Sequence, residues 1–103
     1  MVYEIYEDKR AIRFKHRHRR DKDLLTRINK QYVELSKNPY RCAEEYFESK
    51  KCPKCKKTRV GDYRMIYYIY ESSKTVEIVD ADHRKKIYKK WGWKRKIYLS
   101  NSI

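Results

Sequence analysis

The chain has 103 residues, enough for one hydrophobic core and too few for a second. Charged residues make up 41 % and aromatic residues 15 %, which excludes a disordered basic tail because so much ring surface must be buried. Lys and Arg total 28 against 14 Asp and Glu, a formal charge of +14, so nucleic acid, an anionic membrane surface or an acidic protein are the expected partner classes. Val2 to Tyr6 alternates and predicts a first strand. Glu7 to Arg20 lacks Gly and Pro and carries a thin apolar stripe (Ala11, Ile12, Phe14), which predicts a helix. Asp21 and Asp23 mark a second helix start. Leu24, Leu25, Ile28, Tyr32 and Leu35 follow at helical spacing and read as core, and Asn38-Pro39 stops that helix.

Residues 40–53 carry no clear period. Ala43 to Phe47 reads as a helical turn or a connecting segment. The pattern then becomes β. Lys56 to Val60 and Tyr63 to Tyr70 form two strands around a Gly61-Asp62 turn, and Thr75 to Ala81 forms another after a Ser72-Ser73 turn. Arg84 to Lys90 fits a short helix or a strand. Residues 91–103, with Trp91, Trp93 and Ile97 to Leu99, read as a C-terminal extension of a single domain spanning 1–103. The expected fold is α+β: a small twisted, mainly antiparallel sheet with two N-terminal helices on one face. The other face is expected to stay open and to gather the basic residues of the late strands.

No apolar stretch reaches the length of a membrane-spanning helix, so no membrane role is expected. Met1 to Arg10 carries charges throughout and lacks the apolar core of a secretory signal. With three cysteines in all, an intracellular, cytoplasmic and reduced protein is expected. Cys52-Pro53-Lys54-Cys55 has the form of half a zinc knuckle. A structural zinc needs four ligands, and Cys42, His16, His18 and His83 do not form the second pair. Two ordinary thiols in a loop, with no metal, are therefore expected.

Alternation places Arg64, Ile66, Tyr68 and Tyr70 on one face of their strand and Tyr63, Met65, Tyr67 and Ile69 on the other. An arginine among apolar neighbours is costly to bury unpaired, so Arg64 should open onto a groove or meet an acidic partner. The next strand runs into Asp82-His83-Arg84-Lys85-Lys86-Ile87-Tyr88, which brings another arginine and a tyrosine to the same end. Such a set suits RNA cleavage by the ribose 2′-OH. Arginine grips phosphate oxygens bidentately and offsets transition-state charge, while tyrosine stacks a base or assists proton transfer. This scheme requires no metal or other cofactor.

Arg59-Val60-Gly61-Asp62-Tyr63-Arg64-Met65-Ile66-Tyr67, Val76-Glu77-Ile78-Val79 and His83-Arg84-Lys85-Lys86-Ile87-Tyr88, in that order and spacing, resemble the signature of the RelE/ParE toxin superfamily, over roughly residues 1–90. The resemblance is to the RelE branch. It implies a type II toxin, an endoribonuclease that cuts mRNA in the ribosomal A site and is silenced by an acidic RelB-like antitoxin. The family's basic catalytic set falls here on Arg64, Arg84, Tyr88 and Lys57. Cys55 stands where the family has a second lysine, with Lys54 and Lys56 as neighbouring substitutes. Lys54, Lys56, Arg59 and Lys85 are the expected RNA contacts around this set. Arg17 and Arg19, in the basic run Arg13 to Arg20, are expected to meet ribosomal RNA phosphates. His83 is expected to pack or orient rather than to act as a base. Two alternatives share the fold: a ParE-like toxin that inhibits DNA gyrase without cutting, and a basic RNA-binding module that has lost catalysis.

Overall fold

The computed structural model describes residues 2–44 and 49–92. In chain order it contains β1 (Glu4–Glu7), α1 (Lys9–Arg17), α2 (Lys22–Lys37), β2 (Lys56–Val60), β3 (Tyr63–Tyr70), β4 (Thr75–His83) and α3 (Arg84–Trp91). Aspartates start both N-terminal helices. Asp8 accepts a hydrogen bond from the Arg10 amide and Asp21 one from the Leu24 amide, satisfying donors that the first turn leaves unpaired. Asn38, ahead of Pro39, ends α2 in extended geometry. Gly61 turns β2 into β3 with φ +59°, where a side chain is strained and a Cβ would press on the Arg27 guanidinium at 3.0 Å.

The sheet order is β1-β4-β3-β2. β1 pairs in parallel with Thr75 to Ile78 of β4, and the other two pairings are antiparallel. One break in register matters. Ile66 pairs with Asp80 but Tyr67 pairs with Ile78, so Val79 is an extra residue on β4. This bulge turns Val79 and Asp80 to the same side, and from there Asp80 and Asp82 lean toward α3. On the opposite side, α1 and α2 press Ala11, Phe14, Leu24, Ile28 and Leu35 onto Met65, Tyr67, Val76, Ile78 and Ala81. Tyr32 donates to the Glu7 carboxylate at 2.8 Å, and Lys15 reaches the same oxygen at 2.7 Å, which ties both helices to β1. Among the described residues no helix is long and apolar enough to cross a membrane.

Three expectations need correction. The second sheet face is not left open: Arg84–Trp91 is a helix, and its Ile87 and Trp91, four residues apart, pack with Ile66 and Cys55. Burying Ile87 contributes about 2 kcal/mol to holding this helix on the sheet. Cys52 and Cys55 are not two free thiols but a disulfide. The turn in which the Cys55 amide donates to the Cys52 carbonyl brings their Cα atoms to 5.3 Å, within the usual span of such a bond. Boundaries also shift: β4 continues to His83 because Arg64 and Tyr63 pair with Asp82 and His83, and α1 ends at Arg17. Of the segment Ala43 to Phe47, residues 45–47 lie outside the described residues, as does the extension beyond Gly92.

Candidate functional site

The β2–β3 register opposes Lys57 to Ile66 and Arg59 to Arg64, so all four share the face that α3 meets. Arg64 is buried, with 6 % of its surface exposed. Its Nη1 donates to the Gly61 carbonyl at 3.0 Å and to the Tyr63 carbonyl at 2.9 Å. Its Nε lies 3.1 Å from Oε1 of Glu44. The contact is an ion pair and not a hydrogen bond, because Nε and Oε1 are both buried and misaligned. Lys57 Nζ approaches the same oxygen at 3.6 Å and stands 5.0 Å from the centre of the Tyr88 ring. The Glu44 amide donates to the Lys57 carbonyl at 2.9 Å, which fixes the carboxylate beside β2.

Arg84 opens α3. Its amide donates to the Asp62 carbonyl at 2.9 Å, so it sits over the β2–β3 turn whose Gly61 carbonyl holds Arg64. Its side chain is exposed, and Tyr88 follows four residues later on the same helix face. Lys57, Arg64, Arg84 and Tyr88 thus border one region, with Glu44 as its anion. Arg59 joins from the rim, its Nε donating to the Gly61 carbonyl at 3.2 Å.

The other predicted contacts lie elsewhere. Lys56 points away from this face and covers Tyr40 at 5.8 Å, the consequence of a one-residue step along a strand. Lys54 is exposed on the disulfide turn, and Cys55 is packed under α3 where it meets no solvent-borne group. Lys85 is exposed on α3. Arg17 and Arg19 lie at the end of α1: Arg17 is 4.0 Å from Asp82, and Arg19 donates to the His16 carbonyl at 3.0 Å. His83 caps α3 by accepting from the Lys85 amide at 3.3 Å and sets its ring edge against Tyr63.

Two acidic groups escaped sequence reasoning. Glu44 falls in a stretch without periodicity, so nothing linked it to strands that begin twelve residues later. Asp80 accepts from the Trp91 indole at 2.8 Å and from Lys90 at 3.1 Å. An aspartate set between Val79 and Ala81 in a strand is a signal that a donor must come to it.

Chemically, two cations on one carboxylate oxygen, an exposed arginine and a tyrosine form a setting for a tetrahedral anion. Each cation matches a phosphate oxygen, and the ring supplies a flat apolar surface.

Over residues 3–88 the chain matches the family model described as the ParE toxin of the type II toxin–antitoxin system parDE. Its structure is similar to the toxin–antitoxin complex RelBE2 from Mycobacterium tuberculosis, at 25 % identity and TM-score 0.68, covering 82 % of this chain and 93 % of that one. It is similar to a double arginine-to-alanine mutant of the E. coli toxin RelE in the free state, at 19 % identity and TM-score 0.66, covering 89 % and 96 %. It is also similar to the archaeal RelE–RelB complex from Pyrococcus horikoshii OT3, at 22 % identity and TM-score 0.62, covering 82 % and 97 %. No curated protein matches the chain by sequence.

Proposed function

The chain belongs to the family of ParE toxins of type II toxin–antitoxin systems, and from that premise we propose that it arrests growth by cutting mRNA on the ribosome. Its fold is that of the RelE toxins. The observation that carries the cleaving reading is the meeting of Lys57 and Arg64 on one carboxylate oxygen, at 3.6 and 3.1 Å, with Tyr88 over Lys57. In this reading Glu44 holds the place of a substrate anion in the free protein.

Arg64, fixed by two carbonyls, steadies the scissile phosphate. Arg84 swings over it from the start of α3 and offsets the charge that builds on the phosphorane. Lys57 lowers the cost of deprotonating the 2′-OH, and Tyr88 stacks on or orients the base. The 2′ oxygen bonds to phosphorus, the bond to the 5′ oxygen breaks, and a proton is delivered to that oxygen. The products carry a 2′,3′-cyclic phosphate and a 5′-OH. The reaction belongs in the cytoplasm, with messenger and ribosome as partners. An acidic RelB-like antitoxin fits the +14 chain, and two similar structures are toxin–antitoxin complexes.

The test is translation of a defined mRNA in vitro with added protein, followed by mapping of new 5′ ends. Cuts that require ribosomes are expected. Altered DNA relaxation by gyrase without new ends would establish the non-cleaving alternative. Salt-sensitive RNA binding with neither effect would establish a module without catalysis.

A further inference from the structure

Beyond Ile78, where β1 ends, the outer edge of β4 has no strand neighbour among the described residues. The Ala81 and His83 amides are taken instead by the Oδ1 atoms of Asp80 and Asp82, each at 2.8 Å. α1 and α3 flank this stretch and leave a cleft of about 550 Å³, within the range of small-ligand sites. One wall is aromatic. The rings of His18 and His83 stand edge-on to Tyr63, at 5.5 and 5.6 Å. The other wall is cationic, with Arg17 from α1 and Lys86 and Lys90 from α3.

The charge of this wall is not cancelled. Asp82 is the one carboxylate among the described lining residues, and it is already engaged: its Oδ2 lies 3.5 Å from Lys90 and 4.0 Å from Arg17. Lys90 is further held by Asp80 at 3.1 Å. Lys86 is exposed and has no ion-pair partner among the described residues. On α3, Lys86 and Lys90 form one ribbon, while Arg84 and Tyr88 form another on the far side. The helix, about 10 Å across, therefore separates two basic surfaces that meet at its first turn.

We propose that this cleft is a nucleotide subsite that takes one RNA nucleotide flanking the scissile linkage, its phosphate on Lys86 and Arg17 and its base against the His18, Tyr63 and His83 rings. An acidic side chain would satisfy the cations but leave the ring wall unused; a nucleotide satisfies both. The proposal deepens the RNA-cleaving reading and rests on it for the identity of the polymer. Occupancy of the cleft requires no cleavage, so the two can fail separately.

The test titrates the intact protein with 5′-AMP, with inorganic phosphate and with a hexaglutamate peptide, following the histidine ring signals by NMR. The chain has three histidines, and His16 lies outside the cleft as an internal control. AMP is expected to shift His18 and His83 and leave His16 in place. Phosphate is expected to bind at least tenfold more weakly. K86E, at an exposed position, is expected to weaken AMP binding at least tenfold with Tm unchanged, and K30E, exposed on α2 and outside both the cleft and the basic site, to leave it within twofold. Equal shifts of all three histidines, equal binding of phosphate or hexaglutamate, or indifference to K86E would overturn the subsite. If AMP binds as expected while translated mRNA stays uncut, the subsite stands and the cleaving reading falls.

Discussion

The two ends of the sheet handle charge in opposite ways. At the β3–β4 turn, one carboxylate collects its partners: Glu71 accepts from Tyr3 at 2.9 Å and Tyr40 at 2.6 Å and pairs with Lys74. The Lys74 ammonium, then the Tyr40 and Tyr3 hydroxyls, hold Glu71 down to about 2, and the same contact pushes Tyr40 up to about 12. At the opposite end, around the β2–β3 turn and α3, cations outnumber acids. Glu44 serves both Lys57 and Arg64, Asp82 serves both Lys90 and Arg17, and Arg84 and Lys86 stand exposed. Matched charges fasten the fold at one end, while the unmatched excess at the other creates a field for a polyanion.

The largest effect that separates the ends is expected at Arg64. R64A should lower mRNA cleavage by about 10²–10³-fold. It also leaves Glu44 with Lys57 as its one cation among the described residues, so stability should fall by about 2 kcal/mol in denaturant titration. R64K keeps the charge and loses the fork; a similar drop in rate with a smaller stability loss would assign the effect to phosphate geometry. R84A comes next, with cleavage down about 10²-fold and unfolding free energy unchanged within about 0.5 kcal/mol, because the side chain is exposed. Loss of stability without loss of cleavage in either variant would make the basic end as structural as the other.

A smaller effect concerns the turn that leads into β2. Reducing the Cys52–Cys55 bond should cost about 2 kcal/mol for so short a loop, read as a lower Tm in reductant, and should leave the Glu71 end intact. The smallest is a pH effect at the paired end. Glu71 is depressed from 4.5 to about 2, so its contribution is present above pH 4.5 and is lost as pH falls toward 2. E71Q should flatten that part of the Tm–pH profile, whereas R84A should not.

These two ends were not equally legible in the sequence. The Gly61-Asp62 hairpin and the stripe of α2 are local patterns, and local patterns survive folding. Parallel pairing of β1 with β4 joins segments about seventy residues apart and leaves no local trace. The bulge at Val79 hid the direction of Asp80, since strict alternation carries a residue to the wrong face once one extra residue enters. α3 was ambiguous because only Ile87 and Trp91 mark its buried side, and its partner surface includes Cys55 from a segment that alternation reads poorly. The residues of the basic site came from motif likeness. Glu44, which faces two of them, came only from the fold.

The most direct measurement replaces the ribose at the mapped cut with a single 2′-deoxynucleotide in an otherwise unchanged ribosome-bound mRNA. Loss of cleavage at that linkage alone, with cyclic phosphate ends on the products of the unmodified message, is the expected result. Undiminished cutting at the deoxy position would contradict attack by the messenger's own hydroxyl between Lys57, Arg64 and Arg84.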